Sequence, residues 1–136
     1  MTDVRDILFR EISEKKFRTV LKAERSGVFY GREEAITCAQ ALGIEIELCK
    51  QDGDEIMHGQ WFANFLASPK QVALAEEKLI GTIAKACGIA TAARTAVQLA
   101  DGKAKIVSGA WKKMPPETKQ MVRGAVSAGG AAFRIC

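Results

Sequence analysis

The amino-acid sequence predicts an α/β protein built in two parts: an α+β domain over residues 1–102 with a small open sheet and a helix pair, followed by a strand–helix–strand unit over residues 103–136. Two observations predict this class. Short β-type segments alternate with helical patterns in the first part. In the second part, two short apolar segments flank one helical segment, as in a βαβ unit, which normally crosses over right-handedly between parallel strands. We expect this unit to begin a larger parallel sheet.

The chain opens with a helical pattern. Residues 3–16 repeat apolar side chains at the spacing of an amphipathic helix. Two short strands are predicted over residues 19–23 and 27–30, with a turn at Ser26 between them. A short helix over residues 32–42 follows, and Gly43 is typical of its C-terminal end.

Two further strands precede the central helical region. The segment "IEIELCK", residues 44–50, alternates apolar and charged side chains and predicts a half-buried strand. After a hairpin-like turn, residues 61–67 predict another strand. Ser68 and Pro69 then mark a helix start, with Ser as the cap and Pro in the first helical position.

Gly88 interrupts the long helical pattern that follows, within the segment "CGIATAARTAVQ". We expect the first helix to end there and a second helix to run over residues 90–100, up to Asp101-Gly102. Glycine tolerates backbone angles that other residues avoid, so it suits a junction of two helices. An ordinary C-terminal cap is a compatible interpretation.

The second part contains three predicted elements. "AKIVSGAW", residues 104–111, predicts a short buried strand, and "AAFRIC", residues 131–136, predicts the next one. Between them, Pro116 begins a helix and Gly129 lies just past its end.

Charge is distributed unevenly between the two parts. Residues 1–102 contain 13 basic and 15 acidic side chains, a net charge of −2, whereas residues 103–136 contain 7 basic and 1 acidic side chain, a net charge of +6. This asymmetry indicates that the second part faces an anion, or that it is an incidental solvated basic surface. A small phosphorylated molecule is the favoured partner. Nucleic acid is the weaker alternative, because no nucleic-acid-binding motif is present, and we expect none to bind.

Other compositional features exclude several classes of protein. The four cysteines form no close pair, which disfavours a metal site or a disulfide framework and favours reduced thiols. His58 is the single histidine. No apolar run approaches the ~20 residues of a membrane span, and the charged N-terminus is unlike a secretory signal. We expect a cytoplasmic protein with no membrane partner.

Five segments in register resemble one enzyme family. They are "SGVFYGREEA", "KQDGDEIMHGQ", "GIATAAR", "AWKKMPPETK" and "AVSAGGAAFR", and they follow one another in order from residue 26 to residue 134. Together they resemble the quinolinate phosphoribosyltransferase (nicotinate-nucleotide pyrophosphorylase) family. The resemblance implies an N-terminal α+β domain followed by the first βαβ unit of an α/β barrel, with Gly88 at a helix junction beside the barrel mouth, where a side chain would obstruct packing.

The same resemblance implies an activity and its requirements. The family transfers phosphoribose from phosphoribosyl pyrophosphate to quinolinate with Mg²⁺, releases CO₂ and forms nicotinate mononucleotide for NAD biosynthesis. It therefore implies a glycosyltransferase that binds small anionic substrates and acts as a homodimer. Because the later barrel strands of the family are not represented among the 136 residues, we expect the isolated chain to be inactive.

The resemblance also suggests substrate-binding residues, while the catalytic residues stay unknown. Lys112 and Lys113 match an Arg-Lys pair at the end of the first barrel strand. Arg134 lies at or beside a His-Arg pair at the end of the second. Strand C-terminal ends are where barrel active sites are built.

Several positions depart from the family pattern. Glu77 stands where the family has an arginine that reaches across the dimer to hold quinolinate, so the charge is reversed there. Lys78 and Lys85 share one helical face and either supply the missing charge from the partner subunit or form a solvated surface. These departures leave an alternative open: a divergent noncatalytic or molybdate-transport-associated relative that binds a different anion.

Overall fold

The computed structural model describes residues 1–135 and confirms a mixed α/β protein. The helices are α1 (Val4–Leu8), α2 (Arg32–Ala41), α3 (Pro69–Leu74), α4 (Ile80–Ala100) and α5 (Pro116–Ala128). The strands are β1 (Phe17–Lys22), β2 (Gly27–Val28), β3 (Glu47–Leu48), β4 (Glu55–Ile56) and β5 (Trp61–Ala67). A π-helical segment, Ala75–Leu79, joins α3 to α4, and 3₁₀ segments cover Arg10–Ile12 and Ala110–Lys113.

The first part contains two small antiparallel sheets. Strand β5 lies between β1 and β3, and β2 pairs with β4. The two strands predicted over 19–23 and 27–30 therefore both form, but each pairs with a later strand. The strand predicted over 44–50 is reduced to β3, whereas β5 covers the predicted residues 61–67.

The main core lies between the larger sheet and the helices α2 and α4. Phe29, Phe62, Phe65 and Leu79 are buried in it, and the rings of Phe29 and Phe62 lie 6.0 Å apart between centroids. Each such side chain contributes about 1.5–3 kcal/mol through removal of apolar surface from water. This core fixes the start of α4, on which the second part of the chain packs.

The helix predicted over residues 3–16 is much shorter in the structure. Helix α1 ends at Leu8, and Phe9 has non-helical backbone angles before the 3₁₀ segment begins. Its apolar residues Val4, Ile7 and Leu8 are exposed, so no packing supports a longer helix, and short helices are marginal without packing.

The predicted break at Gly88 is wrong. Helix α4 continues from Ile80 to Ala100, and Gly88 lies on its exposed side, with nothing within 4 Å of the position that its Cβ would occupy. One helical glycine costs about 1 kcal/mol, which the burial of neighbours such as Ala86 and Ala90 outweighs. The irregularity lies earlier, in the π-helical segment. The predicted end of α4 is confirmed, because Asp101 adopts a left-handed conformation with φ of 49°.

The two strands predicted in the second part are also wrong as continuous strands. Within the described residues, 104–111 and 131–135 meet only at a parallel bridge between Val107 and Ala132. The bridge is flanked by two hydrogen bonds of 2.9 Å, from Ser108 N to Ala132 O and from Ala132 N to Ile106 O. Parallel strands are typically found in sheets that are covered on both faces and that contain further strands. Within residues 1–135, neither segment pairs with a second strand. Cys136, the last residue of the second predicted strand, lies outside the described residues.

Helix α5 is confirmed from Pro116 to Ala128, and it packs on α4. Val28, Ala90 and Ala125 form a small buried cluster between the two parts. The parallel direction of the bridge agrees with a βαβ connection through α5. The boundary between residues 102 and 103 stays a prediction.

Candidate anion-binding site

Three exposed cations follow the parallel bridge in the chain direction. Lys112 and Lys113 end the 3₁₀ segment Ala110–Lys113, a few residues beyond Val107, and Arg134 lies two residues beyond Ala132. The two segments run parallel, so the residues that follow the bridge lie at the same end of both segments. We call this end the basic edge (Lys112, Lys113 and Arg134).

Trp111 joins the two segments of the basic edge. Its indole Nε1–H donates to the carbonyl oxygen of Phe133 at 2.9 Å, and the two rings meet edge to face with centroids 6.4 Å apart. The residue before Lys112 is therefore bonded to the residue before Arg134. This contact was not predicted from the sequence.

Two more cations from α5 lie against the same indole. The Nζ of Lys119 is 5.7 Å and the Cζ of Arg123 is 4.9 Å from the ring centroid of Trp111. Lys119 also donates to the carbonyl oxygen of Lys112 at 2.9 Å. Neither Lys119 nor Arg123 was predicted as a site residue from the sequence, although their spacing of four places them on one face of a helix.

The positive charge of this region is not neutralised locally. The ion pairs within residues 1–135 involve only residues of the first part, namely Asp3, Arg5, Asp6, Lys70 and Glu77. The basic edge, Lys119 and Arg123 therefore present uncompensated charge to solvent. An anion with several charged oxygens is the chemical partner that such a surface favours.

The three residues predicted to act from a partner subunit lie elsewhere. Glu77 lies in the π-helical segment, where its Oε2 accepts from Arg5 Nη2 at 2.8 Å. Lys78 and Lys85 are exposed on the same helical region. In the part of the chain that the structure describes, no hydrogen bond or ion pair joins these residues to the basic edge. The pairing of Glu77 with Arg5 was not foreseen, because 72 residues separate them.

Three grooves of the molecule lie away from the basic edge. A groove of about 800 Å³ lies between the β1–β2 connection and α4, with apolar residues such as Val20, Ile80 and Ile83 in its lining. Two smaller grooves have volumes of about 460 and 250 Å³. None of these three grooves is lined by Lys112, Lys113 or Arg134, whose side chains are exposed.

Burial shifts the pKa of two groups near the junction of the two parts. Burial raises the pKa of Cys87, whose Sγ accepts from the backbone N–H of Tyr30 at 3.4 Å. Burial, together with Glu34, Asp52 and Glu33, raises the pKa of the Tyr30 phenol. Cys87 is therefore held as a neutral thiol, which makes it a poor nucleophile.

Magnesium is the cofactor that the resemblance implies. Among residues 1–135, no three His, Cys, Asp or Glu side chains lie close enough together to hold a metal ion. These residues do not fit a Mg²⁺ site of their own. Helices long and apolar enough to cross a membrane are likewise missing from residues 1–135.

These features define a mixed α/β protein with a basic edge at the end of a parallel βαβ connection. The chain belongs to the quinolinate phosphoribosyltransferase family, because its residues 6–87 match the family description "Quinolinate phosphoribosyl transferase, N-terminal domain". A comparison with curated protein sequences gave no match.

Solved structures share the fold. The nicotinate-nucleotide pyrophosphorylase of Francisella tularensis matches with a TM-score of 0.80 and 18% identity, over 93% of this chain and 46% of that one. The Ehrlichia chaffeensis protein of the same name matches with a TM-score of 0.75 and 24% identity, over 95% and 48%. The Pyrococcus furiosus protein matches with a TM-score of 0.69 and 23% identity, over 95% and 36%. The chain thus spans about half or less of the length of these relatives.

Proposed function

We propose that the chain is the N-terminal portion of a phosphoribosyltransferase of the quinolinate type. It would contribute to the transfer of phosphoribose from phosphoribosyl pyrophosphate to a pyridine carboxylate, in the formation of nicotinate mononucleotide for NAD biosynthesis. Membership of the family supports this proposal. The observation that carries it is the basic edge, whose cations have no acidic partner within residues 1–135.

Charge neutralisation is the chemistry that these residues can supply. The donor substrate is a polyanion, and its departing pyrophosphate gains charge as the bond to the ribose breaks. Lys112, Lys113 and Arg134 would hold phosphate or carboxylate oxygens and stabilise the transition state electrostatically. Two of the three are ammonium groups, which bind as point charges and lack the bidentate geometry of a guanidinium. The acceptor's position would therefore be less strictly fixed than by arginine.

A homodimer in the cytoplasm is part of the proposal. In it, Glu77, Lys78 and Lys85 would face the substrate site of the partner subunit. Lys78 and Lys85 are exposed and form no ion pair among the described residues, which leaves their charges available for such a role.

A second function is favoured by one specific observation. Glu77 is ion-paired with Arg5. The position where the family has a substrate-binding arginine therefore holds a carboxylate, and Arg5 balances the charge of that carboxylate. Such a site does not attract the two carboxylates of quinolinate. A noncatalytic or molybdate-transport-associated relative that binds a different anion would show this arrangement.

The test is a calorimetric titration of the chain, first with phosphoribosyl pyrophosphate and Mg²⁺, then with quinolinate. Binding of the donor is expected, and Lys112→Gln/Lys113→Gln should weaken it. A matched control is Lys15→Gln/Lys16→Gln, which removes two adjacent exposed lysines of the first part. Binding of a different anion, such as molybdate, without the donor would favour the second function. Failure of all three anions to bind would overturn the anion-binding role.

A further inference from the structure

The backbone alone holds the basic edge together weakly. Within residues 1–135, the two segments are connected by backbone hydrogen bonds only at the bridge between Val107 and Ala132, which has two such bonds. The cations lie past this bridge, on a 3₁₀ segment and on the last described residues. Their separation must therefore be set by side-chain contacts.

Trp111 provides such a contact from the middle of the 3₁₀ segment. Its indole N–H reaches the carbonyl oxygen of Phe133, and its ring packs against the Phe133 ring. Trp111 is half-buried, and Met114, Val122 and Phe133 belong to the same apolar cluster. A hydrogen bond of this kind has a directional preference that apolar packing lacks.

The indole also offsets repulsion between neighbouring cations. Arg123 lies over the ring, and Lys119 lies near it while bonding to the Lys112 carbonyl. A cation against an indole face is attracted by the negative face of the ring. The ring thus allows several positive groups to gather beside Lys112 and Lys113 without an ion pair to an acidic residue among residues 1–135.

We propose that Trp111 is a positioning residue that sets the distance between Lys112 and Lys113 on one segment and Arg134 on the other. This inference rests on the proposed anion-binding function of the basic edge. A ligand with two phosphoryl groups, such as pyrophosphate, can engage both segments at once. A single phosphate engages one segment and gains little from their fixed separation.

The experiment uses Trp61→Phe as the reference protein. Trp61 is 64% exposed, lies on β5 in the first part, and is the only other tryptophan of the chain. The affinities for inorganic pyrophosphate and for inorganic phosphate are measured by calorimetry in Trp61→Phe and in Trp61→Phe/Trp111→Phe. The second substitution keeps an aromatic ring and removes the N–H donor. The unfolding free energy of both proteins is measured in parallel.

The expected result is a loss of about tenfold in pyrophosphate affinity and less than about twofold in phosphate affinity, since one hydrogen bond of about 1–1.5 kcal/mol fixes the separation. An equal loss for both anions would indicate a purely structural role and overturn the inference. Unchanged binding of both would overturn it too, while the anion-binding function stands. If the Trp61→Phe protein binds neither pyrophosphate nor phosphate, the anion-binding function and the positioning role of Trp111 are both wrong.

A second measurement does not depend on a Trp111 variant that folds. In Trp61→Phe, the only tryptophan emission comes from Trp111. Saturating pyrophosphate should change this emission, because a ligand held by Lys112 and Arg134 places its negative charges beside the indole that joins the two segments, whereas saturating phosphate should change it less. Identical spectra with bound pyrophosphate and without ligand would contradict the positioning role.

Discussion

Gly129 packs directly against the backbone carbonyl oxygen of Ala90. A Cβ at position 129 would meet that oxygen, would lie 2.6 Å from the Cβ of Ala93 and 2.8 Å from the amide nitrogen of Arg94. Arg94 also forms a hydrogen bond with Gly129, because its Nε donates to the Gly129 carbonyl oxygen at 3.1 Å. The end of α5 is thus fixed on α4 by backbone contact, and the segment that contains Arg134 begins at this point.

Gly129→Ala should destabilise the chain by about 1–3 kcal/mol, the usual cost of overpacking. The backbone angles of Gly129 are ordinary right-handed helical ones, so the cost comes from the clash with α4 and not from conformational strain. Urea denaturation followed by circular dichroism measures the effect. A stability equal to that of the parent chain would show that α4 and α5 pack less closely than described.

Gly88→Ala should stabilise the chain by about 0.5–1 kcal/mol, because alanine has the higher helix propensity and the added methyl group meets open space. The same denaturation experiment measures it. Gly81→Ala is the matched control, since Gly81 is also exposed on α4 with nothing within 4 Å of its Cβ position. A destabilising Gly88→Ala beside a neutral or stabilising Gly81→Ala would contradict the continuous helix and restore the predicted junction.

Glu77→Arg tests which of the two proposed functions fits the charge reversal. If the site is a retuned transferase site, the new arginine should give quinolinate affinity that the parent lacks. The substitution also removes one of the two carboxylate partners of Arg5, the other being Asp3, and puts two guanidinium groups together, so it is made together with Arg5→Gln. The exposed Arg5–Glu77 pair contributes only about 0–1 kcal/mol, so folding should survive.

Glu76→Arg with Arg5→Gln is the control for that experiment. Glu76 is the exposed neighbour of Glu77 and forms no ion pair among the described residues. Calorimetry with quinolinate compares the two double variants in a preparation that dimerises. A gain with both variants would mean a nonspecific charge effect, and no gain with Glu77→Arg would favour the noncatalytic alternative.

Sequence reasoning predicted those elements whose signals are local. The start of α3 follows from Ser68, which accepts from Gln71 in a capping box, and the end of α4 follows from Asp101-Gly102. The strand over residues 61–67 was also predicted correctly; it lies between β1 and β3, and β1 pairs with it from Trp61 to Ala67.

The errors concern features that depend on distant neighbours. From its residue type alone, Gly88 predicts the end of a helix. In the structure, the packing of α4 around it keeps the helix continuous. The strand predicted over 104–111 has the apolar composition of a strand, but within residues 1–135 it has only one partner segment. The Trp111–Phe133 hydrogen bond and the Arg5–Glu77 pair join residues far apart in the chain, and no spacing rule within a single segment indicates them. The basic charge of the second part was visible in the sequence, whereas its arrangement around an indole was not.

Cys87 should make the stability of the chain depend on alkaline pH. Burial raises the pKa of its thiol in the folded protein, so folding favours the neutral form. The resulting stabilisation is fully present below the pKa of the unfolded thiol, about 8.5, and is lost as the pH rises through the higher pKa of the folded protein. The free energy of unfolding of Cys87→Ala should therefore fall less steeply above about pH 8.5 than that of the parent.

The measurement is urea denaturation in a reducing buffer from neutral to alkaline pH, with Cys49→Ala as the control. Cys49 is exposed, so its replacement removes a thiol without disturbing the core. Tyr30 and Lys70, whose pKa values are also raised, contribute to the alkaline loss in all three proteins and cancel in the comparison. Parallel curves for Cys87→Ala and the parent would mean that the thiol ionises as freely in the folded chain as in the unfolded one. In that case Tyr30 and α4 would not enclose the thiol as described.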